Sequence, residues 1–459
     1  MTVAPDISRE SRFDWPLCHD AERKVLDLLE AFTAKNRFAA DLEKKMQAGT
    51  GTLLIDWVDH LIVPPRAADA LVRAGYVEDH LGETVDGSAT LWHPEAMLPR
   101  VVTMDHESVP GLALRVDSVP DFLAAHELSS TIQGSPFSRY RQALVSENPE
   151  SRLLAIERRG YRGYVPKNSS EGRLEAVLLA HETWKTRPRH FEEDSIGWRR
   201  THAWLNRLIA LAGRDTACAV IFAEERSYWE RRNRAAQVQK ARQDRLGLGW
   251  ANHDHHTFRS SRQHFVELMQ ALEKLGFERR ERYYAGAQAG WGAQILEQPV
   301  EGLVAFCDVD LEPEETEIDF SRVPLPPSGR LGTIGLWVGL HGESFLQAGM
   351  HHLECRFDYA ALRDQLAAEG VQTMKPFSDL PFLKQAFTEG ERWQVRKERA
   401  ERLLRSDLIT QAQFDTFMKD GAIGSHLENL QRKGGFKGFN QKSVSAIIAA
   451  VDPRTQAAH

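Results

Sequence analysis

Residues 251–260 read ANHDHHTFRS, which places His253, His255 and His256 beside Asp254 and Arg259. Side chains alternate along an extended chain, so His253, His255, Thr257 and Arg259 would share one face, and Asp254, His256 and Phe258 the other. A neutral imidazole is a ligand for a divalent metal. A guanidinium on the same face grips a carboxylate through a bidentate fork. The ordinary alternative is a polar strand edge whose histidines are satisfied by their neighbours. A second stretch, MHHLECRF (350–357), puts His352, Glu354 and Arg356 on one face and His351, Leu353 and Cys355 on the other. Either His351 or His352 can be its ligand. Downstream, FTEGERW supplies Glu389 and Glu391. Two separated histidines and one carboxylate are the usual protein set for non-haem Fe(II), leaving one face of the ion for substrate and oxygen.

These residues must be held by elements, and one arrangement recurs. Asp59-His60 opens DHLIVPPRAADALVRAGY, Asp254-His255 opens DHHTFRSSRQHFVELMQALEKLGF, and His351-His352 opens HHLECRFDYAALRDQLAAEG. Each reads as a strand bearing His near its start, then an amphipathic helix, then a glycine (Gly75, Gly276, Gly370) of the kind that ends helices. Short strands follow at least the first two. Around these units, 21–48 reads as one or two helices, 118–248 as mainly helical, TIGLWVGL as a strand, the acidic and proline-rich 312–330 as a linker or surface loop, and the last 80 residues as mostly helical. The arginines of 226–245 read as a solvated helix face. The expected division is 1–117 (helices plus a degenerate unit), 118–248 (helical) and 249–459 (metal-binding). The first unit has no arginine on the face of His60, and Pro64-Pro65 end its strand early, so it reads as scaffold.

The chain has 459 residues, 42% of them hydrophobic, enough for more than one core. The net charge of -7 leaves no basic footprint for nucleic acid. Cys18, Cys218, Cys307 and Cys355 are scattered, as in reduced cytosolic proteins. No membrane span and no signal peptide are expected, so the expected location is the cytoplasm.

The strand–helix–strands unit resembles the βαβββ module of the vicinal oxygen chelate superfamily, whose paired modules curve into a cup around a divalent metal. That implies an α+β fold. More narrowly, residues 250–445 resemble the 2-oxoadipate dioxygenase/decarboxylase (hydroxyglutarate synthase) family. Asp254, His255, Thr257, Phe258 and Arg259 match its Asp-His-x-[Ala/Thr]-Phe-Arg motif. Met350-His351-His352 stands where that family has Asn-His, and Phe387-Thr388-Glu389 fits its Phe/Tyr-x-Glu segment. GGFKGFN (434–440) resembles a late Gly-Phe-…-Asn segment. The resemblance implies Fe(II) held by His255, His352 and Glu389, with Arg259 gripping a substrate carboxylate. It also implies dioxygen and a small 2-oxo acid as co-substrates. The other readings are an oxygen-independent vicinal-oxygen-chelate lyase or isomerase, and a non-catalytic ligand-binding scaffold.

Overall fold

The computed structural model describes residues 15–84, 88–104, 109–284, 290–315, 318–440, 448–449 and 451–454. Two helices come first among the described residues, α1 (His19–Lys35) and α2 (Arg37–Thr50). The first module then runs β1 (Val58–Val63), α3 (Pro65–Val72), β2 (Val77–Glu78), β3 (Thr90–Trp92) and β4 (Arg100–Thr103). A second follows at once: β5 (Gly111–Arg115), α4 (Val119–Ala125), β6 (Ile132–Gln133), β7 (Tyr140–Asn148) and β8 (Ser151–Arg158). They join into an eight-stranded sheet ordered β2-β3-β4-β1-β5-β8-β7-β6, with β1 and β5 antiparallel at its centre.

Four helices come next, α5 (Glu171–Thr186), α6 (Asp194–Ala212), α7 (Arg214–Glu230) and α8 (Arg234–Asp244). The third module is β9 (His253–Arg259), α9 (Phe265–Lys274), β10 (Glu278–Tyr284), β11 (Trp291–Gln298) and β12 (Leu303–Asp310). Helix α10 (Thr333–His341) leads to the fourth: β13 (His352–Arg356), α11 (Tyr359–Ala368), β14 (Ser378–Leu380), β15 (Leu383–Phe387), β16 (Glu391–Trp393), α12 (Lys397–Arg405), α13 (Gln411–Asp420) and β17 (Ala422–Arg432). The second sheet is ordered β10-β11-β12-β9-β13-β17-β15-β14, with β16 pairing β17. Its order copies that of the first sheet strand for strand. The α+β architecture of paired βαβββ modules is therefore present, with four modules where sequence pattern located three.

The unseen module is the second. Its opening strand GLALR carries no histidine and so lacks the mark that the other three share, and the stretch expected to be mainly helical holds β6, β7 and β8. Gly75, Gly276 and Gly370 do follow their helices with φ of 104°, 87° and 75°, a region that penalises any Cβ. Helices α5 to α7 pack on the second sheet through a core that includes Trp184, Trp198, Phe222, Phe258 and Leu353.

Two segments differ from their sequence reading. TIGLWVGL, expected as a strand, is α10: Asp310 accepts the amide N–H groups of Gly332, Ile334 and Gly335, which starts the helix, and α10 is buried on several sides, so no strand-like alternation was required of it. The last 80 residues, expected to be mostly helical, contain β17, whose eleven residues pair with β13, β15 and β16.

Candidate metal centre

Strands β9, β13 and β17 lie side by side in the second sheet, and their register builds the floor of a cup. His255, Glu354 and Glu428 form one rung across the three strands, and Thr257, His352 and His426 the next. The cup is walled by Phe306, Phe377, Phe387, Phe439, Ile448 and Val451, and Arg259 and Asp308 also line it.

The bulge in β9 decides which histidine enters. Glu354 pairs with His255 but Cys355 pairs with His253, so Asp254 is an extra residue on β9 and alternation resets there. His253 consequently shares a side with His256, their ring centroids 5.2 Å apart, and turns away from the cup. The expectation that His253 lies on the face of His255 is thereby corrected. The bulge also brings the Asp254 carboxylate to His255 Nδ1 at 3.0 Å. An Nδ1–H donated to Asp254 leaves Nε2 bare toward the cup, the arrangement that orients metal-ligating histidines. Burial would raise the Asp254 pKa, but the Arg432 guanidinium on β17, 3.0 Å away, and His255 hold it well below the usual carboxylate range.

Four donor groups converge. His255 Nε2 lies 3.1 Å from Glu354 Oε1, His352 Nε2 lies 2.5 Å from the same oxygen, and His352 Nε2 is 3.7 Å from Glu428 Oε2. Donor atoms of His255, Glu354 and Glu428 all fall within 4.8 Å of one another. Ligands about 2.0–2.2 Å from one ion sit roughly 3 Å apart when adjacent, so these separations suit a shared ion. Thr257 donates its hydroxyl to Glu354 Oε1 at 2.7 Å and Gln385 donates to Glu428 Oε1 at 2.8 Å, while Glu354 Oε2 has no partner among the described residues.

The electrostatics point the same way. Burial, then the facing Glu428, pushes the Glu354 carboxyl well up; burial pushes Glu428 up to about 8. Burial holds the His255 and His352 imidazoles below their ordinary range, so both are neutral. Two buried carboxylates beside two neutral imidazoles, with no cation in direct contact with either among the described residues, are costly without protons or a metal ion. One divalent ion balances both charges, and the donor set therefore fits a metal.

Arg259 is 2% exposed and Trp337 lies under its guanidinium, 5.6 Å from the ring centroid. His351, the alternative to His352, turns its Nδ1 to the Gly424 carbonyl at 3.0 Å and does not line the cup. Glu389 is exposed at the end of β15 and is not brought to the cup; Glu391 accepts the Arg234 amide on the outer surface. Glu389, the expected third ligand, is therefore not brought together with His255 and His352. A carboxylate does enter from a late strand, but it is Glu428. Glu428 is hidden in the sequence because AIGSHLENLQR follows a charged helical stretch, although His426, Leu427 and Glu428 alternate as a strand requires.

No family model and no curated protein matches the chain. Solved structures do. They include a mutant 4-hydroxymandelate synthase from Streptomyces coelicolor, 14% identical over 87% of this chain and 98% of that one, with a TM-score of 0.30. Methylmalonyl-CoA epimerase from Mycobacterium tuberculosis is 14% identical over 40% of this chain and 88% of that one, with a TM-score of 0.23. Glyoxalase I from Zea mays is 14% identical over 24% and 44%, with a TM-score of 0.18. Among the described residues, no helix is long and apolar enough to cross a membrane.

Proposed function

We propose that the protein is a metal-dependent enzyme acting on a small carboxylic acid, and specifically a non-haem Fe(II) dioxygenase of a 2-oxo acid. The observation that supports it is the convergence of His255, His352 and a late-strand glutamate, Glu428, in one apolar-walled cup. Iron bound there would supply oxygen activation and oxidative decarboxylation. The chain's own residues do the rest. Asp254 fixes the His255 tautomer, and Arg432 fixes Asp254. Phe306, Phe387 and Phe439 exclude water from the donors. Arg259 takes an acceptor oxygen on the far end of the substrate and sets its orientation.

Glu354 favours a second reading. If both glutamates ligate beside both histidines, only about two positions of an octahedral ion stay open, which suits an oxygen-independent lyase or isomerase better than an oxygenase. Anaerobic reconstitution with Fe(II), followed by oxygen-electrode traces with a panel of 2-oxo acids, tests the pair. Oxygen uptake that tracks iron content supports the dioxygenase. Iron that binds without any uptake leaves the oxygen-independent reading.

A further inference from the structure

The cup holds a second polar pair that the donor set does not use. Arg259 on β9 and Asp308 on β12 are register partners in parallel strands, and each is 2% exposed. They touch through a single contact, Arg259 Nε donating to Asp308 Oδ2 at 3.3 Å. Arg259 Nη1 and Asp308 Oδ1 have no hydrogen-bond partner among the described residues. Buried polar atoms are nearly always paired, so one orphan on each of two register partners that line the cup marks what a ligand must bring. An arginine alone would suit a bare carboxylate. Here a carboxylate at the same register repels a second one, and the pair is net neutral.

We infer that Arg259 and Asp308 together read the far end of the substrate, and that they select a net-neutral group presenting an acceptor beside a donor, of the kind a primary carboxamide offers. The acceptor oxygen meets Arg259 Nη1 and the donor N–H meets Asp308 Oδ1. This rests on the reading of the cup as a substrate site and narrows its substrate class. Burial pushes the Asp308 carboxyl up to about 6 against the pull of Arg259, so above neutral pH it accepts rather than donates.

The test compares succinate, succinamate and 4-methylpentanoate on the metal-loaded protein at pH 8 by anaerobic calorimetry. The three share one carboxylate end and differ at the other: carboxylate, carboxamide, branched alkyl. Succinamate should bind at least about tenfold tighter than succinate, since a site built around buried hydrogen-bonding groups penalises a mismatched partner. Asp308→Asn, which replaces the acceptor with a donor, should erase or reverse that preference. Arg259→Gln should weaken succinamate and leave 4-methylpentanoate unchanged. Succinate binding as tightly as succinamate overturns the inference, as does no binding of any of the three. The wild-type ranking decides even if Asp308→Asn does not fold. Metal content in the same samples separates the claims: a protein that takes up no metal sinks the metalloenzyme reading, whereas the ranking sinks only the pairing of Arg259 with Asp308.

Discussion

His255 and Glu428 each present a donor atom whose alternative is closed off. His255 Nδ1 is engaged by Asp254, and Glu428 Oε1 by Gln385. Replacing His255, His352 or Glu428 by alanine should lower divalent-metal affinity more than about 100-fold, beyond the loss typical of outer partners. Calorimetric titration reads this, with Glu389→Ala unchanged as the control. The same residues predict a pH effect. The Glu428 carboxyl, ordinarily near 4.5, is pushed up to about 8 by burial, so the folded metal-free protein holds a proton there that the unfolded chain releases. Its stabilising contribution is complete below about pH 4.5 and is lost as pH rises through about 8, at up to ~1.4 kcal/mol per pH unit. Metal-free Tm should thus fall between pH 6 and 8, and metal, by displacing the proton, should abolish the fall. A metal-free Tm that rises across that window would contradict the protonated pair.

At the scale of the element, what was legible followed local pattern and what was not depended on pairing. The His255 and Arg259 face, the helix after β9 and its closing glycine were readable, since period and turn chemistry are written locally. The Asp254 bulge was not: an extra residue exists only relative to the partner strand β13, and it reversed the side assigned to His253. Strand β17 was obscured because the polar helices α12 and α13 precede it, and only three partners make it a strand. Its position is set by close packing at Gly424, where an added Cβ would lie 1.9 Å from the Trp393 ring. That ring cannot yield easily, for its Nε1 donates to the Arg232 carbonyl and the Arg232 guanidinium covers it at 3.6 Å. Gly424→Ala should therefore cost about 1–3 kcal/mol by overpacking. Because Glu428 is on the same strand, metal affinity should fall too, by less than in Glu428→Ala. Denaturant unfolding and metal titration of one preparation check both.

Across the whole molecule the two sheets are copies whose differences locate the chemistry. In both, an aspartate bulges before the histidine of the first strand, and an arginine four residues beyond the aligned position on the last strand clamps it: Asp59 and His60 with Arg158, Asp254 and His255 with Arg432. The other three donors are not copied. Register aligns His352 with Gly111, Glu354 with Ala113 and Glu428 with Leu154. Ala113 and Leu154 instead join Tyr140 and Ile156 in an apolar cluster. The Asp–His–Arg clamp is thus present in both sheets, whereas the set of two histidines and two glutamates is present only in the second. Removing one partner of a buried ion pair costs about 3–5 kcal/mol. Arg158→Ala and Arg432→Ala should therefore destabilise the protein to a similar degree, measured by chemical denaturation. Metal affinity should separate them: Arg432→Ala frees Asp254 and should lose about 10–100-fold, as expected for the partner of a ligand's partner, while Arg158→Ala should bind one ion per chain as the wild type does. Equal losses of metal affinity in the two variants would mean that the first sheet also holds an ion, and that the apolar substitution of its cup does not separate scaffold from site.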